Sequence, residues 1–239
     1  MRLSPPHPLG TTVYRRVLFA LLAMDLLLIG LHVVLSVMAR ADWLIQEVPA
    51  TLDISQDHGL PESFNYAKWF VIVTCLAATF RRTRVPLFAS LATIFLLVLL
   101  DDSLRIHEQV GDRLAPLTGW DQLGELIAFT GLGMISLSIL VPGLWNLPRD
   151  VWPQAVRFIG VLLGLALCGV VIDFAHASIG WLGLPMGRLS DRAVGVVEDG
   201  GEMLLASLAT AYAVATWRWA VRVSRGEQRP QADVSPTQT

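Results

Sequence analysis

The sequence predicts an all-α protein, a polytopic bundle of about six transmembrane helices with both termini in the cytoplasm, and three observations carry that expectation. Of its 239 residues, 54% are hydrophobic and only 16% charged, too little polar surface to coat a soluble globule of this size. Apolar runs that can cross a bilayer, at about 1.5 Å per residue, recur along the chain. The arginines gather in alternate connections, and the tryptophans fall near the ends of the apolar runs.

Residues 1–16 hold three prolines and the adjacent Arg15 and Arg16, which suits a short cytoplasmic tail. The first span covers residues 17–39. Two arginines ahead of an apolar run mimic a secretory signal, but this run is long for one and carries Asp25 and His32, so it reads as a retained helix. Residues 40–63 mix Pro49, Pro61, Asp53, Asp57 and Glu62 with Trp43, Leu44 and Ile45, as expected of a periplasmic loop with one short interfacial helix. The second span, 64–80, stops at Arg81, Arg82 and Arg84; the third, 85–105, tolerates Pro86 in its first turn. After a polar turn come the fourth span at 120–145, the fifth at 155–179 and the sixth at 193–219. Gly160 and Gly164 in the fifth have the spacing that lets helices pack closely. The transmembrane domain, 17–222, ends at Arg222, and residues 223–239 have the polar composition of a disordered cytoplasmic tail.

Under a six-span topology Arg15, Arg16, Arg81, Arg82, Arg84, Arg149, Arg157, Arg218, Arg222 and Arg225 all fall on the side of the termini, which the positive-inside rule makes cytoplasmic. The expected location is therefore a bacterial inner membrane, with the lipid bilayer as the chain's main partner. A net charge of −2 argues against a nucleic-acid surface. Cys75 and Cys168 both lie in apolar stretches, where a thiol behaves as a small hydrophobe, so they say nothing about redox compartment. The sequence carries no signal for oligomeric state.

Function is expected where the apolar helices meet charge. The third span runs into Asp101, Asp102, Arg105, His107 and Glu108; the fourth begins with Asp121 and Glu125; the fifth ends with Asp173 and His176; the sixth begins with Glu198, Asp199 and Glu202. With alternating direction, all four sets reach one level near the periplasmic face. Residues three, four or seven apart share a helical face, which pairs Asp173 with His176, Glu198 with Glu202, Asp121 with Glu125, Ser103 with His107 and Asp101 with Glu108. An ionised carboxylate facing lipid costs about 2.5–3.5 kcal/mol on insertion scales, so these groups are expected to face one another and to be neutralised by Arg105, protons, water or a bound cation. Gly200 and Gly201, between the two glutamates, permit close backbone approach by a neighbouring helix or a ligand.

Two imidazoles among several carboxylates suit a divalent metal, either zinc or a carboxylate-rich site for iron or manganese. On that reading His107, His176, Asp173, Glu198 and Glu202 hold the metal. If the protein is an enzyme, Asp102 or Glu125 then orients a ligand imidazole or acts as general base towards metal-bound water, and the substrate is a lipid or another small amphiphilic molecule. The alternative is a proton- or cation-coupled transporter that uses the same carboxylates, and a further one is a structural or assembly subunit, whose hydrogen-bonded network of acids needs no ligand at all.

Two stretches, DDSLRIHE at 101–108 and EDGGEM at 198–203, resemble the paired signatures of a group of uncharacterised bacterial multi-pass membrane proteins, an acidic pair followed by His-Glu and an acidic pair followed by Glu-Met. That resemblance implies a membrane location and brings no activity. Ser103, His107, Asp173 and His176 are also similar in type to the residues with which the ceramidase and progestin-receptor superfamily of membrane hydrolases holds a catalytic zinc, a likeness that implies zinc hydrolysis.

Overall fold

A computed structural model describes residues 11–40, 47–56, 58–182 and 188–226, and every long element among them is helical. The helices are α1 (Thr12–Arg40), α2 (Leu60–Thr83), α3 (Pro86–Leu104), α4 (Ile106–Thr118), α5 (Asp121–Leu144), α6 (Trp152–Ala166), α7 (Asp173–Trp181) and α8 (Arg188–Ser224). A π-helical turn, Leu167–Ile172, joins α6 to α7 in one rod. Among the described residues four stretches are long and apolar enough to cross a membrane: Thr12–Ala39, Pro86–Leu104, Gln122–Leu144 and Trp152–His176. The expected interfacial helix around Trp43 to Ile45 and most of the C-terminal tail lie outside the described residues.

The apolar helices surround two more polar ones. α2 lies against α3 on one side and α8 on the other, and α6 closes the other flank of α8. Their shared core takes Trp69, Ile72 and Leu76 from α2, Phe88, Leu91 and Phe95 from α3, Phe158 and Val161 from α6, and Ala206, Ala209 and Ala213 from α8. The alanines give α8 a narrow face, so bulky neighbours can approach its backbone, as small residues allow in membrane bundles. By contrast α1 packs mainly on α8 and leaves Phe19, Leu26, Leu27, Val34 and Val37 exposed, a surface suited to lipid. Of the two glycines at helix-packing spacing in α6, only Gly164 meets a neighbour, Leu205 of α8, at 3.0 Å from where a Cβ would stand.

Sequence signals fix the reversals. Arg84 takes the left-handed conformation (φ 57°) behind α2, its N–H capping the Phe80 carbonyl, and Pro86 opens α3 in the first turn where its missing N–H costs nothing. Arg82 bonds Ser224 at 3.0 Å, so the arginine-rich ends of α2 and α8 meet at one end of the bundle. The acids lie at the other.

Two expectations need correction. Residues 106–118 form a helix rather than a polar turn, because Ile106, Val110 and Leu114 recur every fourth residue and supply an apolar face that the intervening charges hide. α4 then folds back along α5 with backbone against backbone: a Cβ on Gly111 would stand 3.0 Å from the Glu125 nitrogen. Further, the helical periodicity that paired Ser103 with His107 and Asp101 with Glu108 breaks at Arg105, where the third span ends as expected. That residue is left-handed (φ 51°, ψ 46°) and turns the chain sharply between α3 and α4.

Candidate functional site

The break at Arg105 sets the geometry of the acidic end. Asp101, in the last turn of α3, reaches across it: one carboxylate oxygen accepts the His107 backbone N–H at 2.9 Å and the other lies 3.0 Å from His107 Nδ1. It thereby satisfies one of the donors that the start of α4 leaves unpaired and fixes the imidazole. The His107 ring stacks on Phe129 of α5, centroids 4.3 Å apart. Its other nitrogen, Nε2, is 3.9 Å from a Glu108 oxygen. Burial works against the imidazolium, but the hydrogen bond and charge of Asp101, with Glu108 and Glu125 behind it, hold His107 above its ordinary value of 6.5. Arg105, itself part of the same cavity lining, pairs with Glu108 three residues on.

Around this junction lies a cavity of about 120 Å³, room for a few waters or one hydrated ion. Glu62 and Asn65 of α2 line it, with Asp102 of α3, His107 and Glu108 of α4, and Asp199, Glu202 and Met203 of α8. Asp102 is steadied from behind by the Trp69 indole N–H at 3.1 Å. Asp199 accepts the Ser55 hydroxyl, and Glu62 accepts the Tyr66 hydroxyl. One polar group in the wall is left over: Asn65 is buried, and its Oδ1 accepts no hydrogen bond among the described residues.

Of the seven residues singled out in the sequence, three line this cavity: Asp102, His107 and Glu202. The other four, Glu125, Asp173, His176 and Glu198, do not line it. Asp173 at the start of α7 is within electrostatic range of His107, Glu108 and His176, and both Glu125 of α5 and Glu198 of α8 are within range of Asp173. Among the described residues no three His, Cys, Asp or Glu side chains are grouped so as to hold a metal ion. The side chain of Asp121 lies outside the described residues. Where the α6–α7 rod passes α8, the widened turn brings Gly169 against the Glu202 carboxylate, and a Cβ on Gly201 would stand 2.8 Å from Cys168 Sγ. Gly169 and Gly201 are thus used for helix crossing.

Directly beneath the cavity the structure holds a group that helical periodicity did not reveal. Lys68, one turn along α2 from Asn65 and 2% exposed, donates to Asp25 of α1 at 2.9 Å, to the Met203 carbonyl at 2.9 Å and to Ser207 at 3.3 Å. Ser207 in turn donates to the second Asp25 oxygen at 2.5 Å. Asp25 and Ser207 are fully buried. His32, higher on α1, accepts the Ile54 N–H at 3.4 Å and lies 3.3 Å from Asp53, so it ties α1 to the connection before α2.

Comparison with known proteins adds a family. A family model described as a domain of unknown function, DUF8692, matches residues 20–217. No curated protein and no solved structure matches the chain.

Proposed function

The chain belongs to the DUF8692 family, and we propose that it is a six-span inner-membrane protein whose periplasmic chamber captures a divalent cation. To the four apolar spans the proposal adds α2 and α8. Both are long enough, and Asn65, Lys68 and Thr79 of α2 and Ser207, Thr210 and Thr216 of α8 are buried against other helices, so they need not meet the hydropathy of a lipid-facing span. With α2 and α8 inserted, the arginine-rich end faces the cytoplasm together with both termini.

The observation that carries the cation is the state of His107. A carboxylate on Nδ1 is the partner that metal-bound imidazoles use to fix their tautomer, and it leaves Nε2 beside Glu108 at the chamber wall. Binding would displace the Nε2 proton and engage Glu202, and Asp173, His176 and Glu198 would complete the ligand set. Zinc, iron and manganese all accept such a mixed set. As a metal-dependent enzyme acting on a lipid or amphiphile, the protein would use Asp102 or Glu125 as base.

A carrier coupled to protons or cations is the second reading, and a specific feature favours it. Met203 lines the chamber while its carbonyl accepts from Lys68, so the chamber adjoins the buried Lys68–Asp25 pair.

Equilibrium dialysis of the purified protein against zinc and manganese, followed by elemental analysis, tests the cation. The expected result is one tightly held ion per chain, with Asp101→Asn weakening binding about 10–100-fold through loss of the His107 partner. Wild-type protein that leaves dialysis without metal, or equal affinity in Asp101→Asn, would count against the proposal.

A further inference from the structure

The Lys68 ammonium sits in a shell of oxygens: a carboxylate oxygen of Asp25 at 2.9 Å, the Met203 carbonyl at 2.9 Å and the Ser207 hydroxyl at 3.3 Å. A carboxylate, a carbonyl and a hydroxyl converging on one point are hard oxygen donors, the ligand chemistry of an alkali cation as much as of an ammonium group. We propose that this shell is a monovalent-cation site in which Lys68 is the resident cation, exchanged for sodium or potassium arriving through the chamber.

Three features support the exchange. Asp25 carries the single negative charge of the shell, so it neutralises one cation at a time: when the metal ion enters, Nζ gives up a proton and leaves as a neutral amine, and the charge of the shell is unchanged. The chamber adjoins the shell. Met203 lines the chamber and its carbonyl belongs to the shell, and Asn65, another lining residue one turn from Lys68, carries a buried Oδ1 that accepts no hydrogen bond among the described residues. Finally, among the described residues no competing acid or base meets Nζ from the packed helices. α1 presents Asp25, α8 presents Ser207 and the Met203 carbonyl with Glu202 turned to the chamber, and α2 presents the Phe64 ring, its centroid 4.7 Å from Nζ. The Phe64 face favours a cation there without fixing it to nitrogen.

The inference builds on the ion-handling reading, yet the two can fail separately, because the chamber site is tested with divalent metal and this one without. Chelator-treated protein in weakly buffered detergent at about pH 8 is titrated with sodium, potassium or choline chloride while a pH dye reports released protons. Sodium or potassium is expected to release up to about one proton per chain, and choline none. Lys68→Arg keeps the charge but cannot release a proton, so the release should vanish. Ser207→Ala removes one oxygen and leaves the ion pair intact; it should keep the release but shift its midpoint several-fold to higher salt. If Lys68→Arg does not fold, Ser207→Ala decides. No release by the wild type, equal release by choline, undiminished release from Lys68→Arg, or an unmoved midpoint in Ser207→Ala would overturn the proposal, whatever the result with zinc or manganese.

Discussion

Asp25→Ala is expected to be the most damaging single substitution in the protein, lowering stability by about 3–5 kcal/mol. The reason is the asymmetry of buried charge. Lys68 and Asp25 are almost wholly shielded, and their attraction together with the Ser207 and Met203 hydrogen bonds offsets the cost of taking both from water. Removing one partner leaves that cost on the other. For a chain of this size the loss corresponds to a fall of about 10 °C or more in melting temperature, read by size-exclusion chromatography of heated samples in detergent. Replacing both partners, Asp25→Leu with Lys68→Met, should recover most of it, since apolar packing of similar volume is often neutral where an ion pair was. A single variant that melts within about 2 °C of wild type would mean that the pair is not shielded as described.

Gly124→Ala should rank second, at about 1–3 kcal/mol, or some 3–10 °C. A Cβ at position 124 would stand 3.1 Å from the carbonyl carbon of Gly111 and 3.2 Å from its Cα. Both atoms are backbone, so α4 must move bodily away from α5 and carry His107 with it. Gly131→Ala on the same helix is the control: nothing lies within 4 Å of the point its new methyl group would occupy. It should be neutral or slightly stabilising, as alanine is the better helix former. Equal melting temperatures for the two variants would contradict the close α4–α5 crossing.

These two sites also mark where the sequence was legible and where it was not. Long apolar runs announce themselves, because a helix facing lipid on most sides must be apolar almost everywhere; hence α1, α3, α5 and the α6–α7 rod appear close to their expected limits. The clustering of acids at one end was legible for the same reason, since alternate span directions bring particular ends together. What escaped was everything that depends on leaving the helix. Pairing Ser103 with His107 and Asp101 with Glu108 assumed continuous periodicity, and a left-handed Arg105 redirects Asp101 to His107 instead. No local signal marks Arg105 for that conformation, which glycine or asparagine more often adopts. Lys68 was visible as the chain's one lysine, but its partner is 43 positions away in sequence, and only the meeting of α1, α2 and α8 brings them together. Glu62, assigned to the loop before the second span, and Asn65, which no sequence signal singled out, line the chamber.

The claim beneath the functional reading is that water and cations reach a chamber between α2, α3, α4 and α8 from the side opposite the arginines. The most direct test places a cysteine at that wall, Asn65→Cys, in a chain whose own thiols are removed by Cys75→Ala and Cys168→Ala. Vesicles of known orientation are then treated with a small membrane-impermeant thiol reagent, with and without manganese. Modification from the periplasmic face alone, slowed by manganese, is the expected result. Modification only from the face that carries Arg81 to Arg84, or a rate that manganese leaves unchanged, would contradict it.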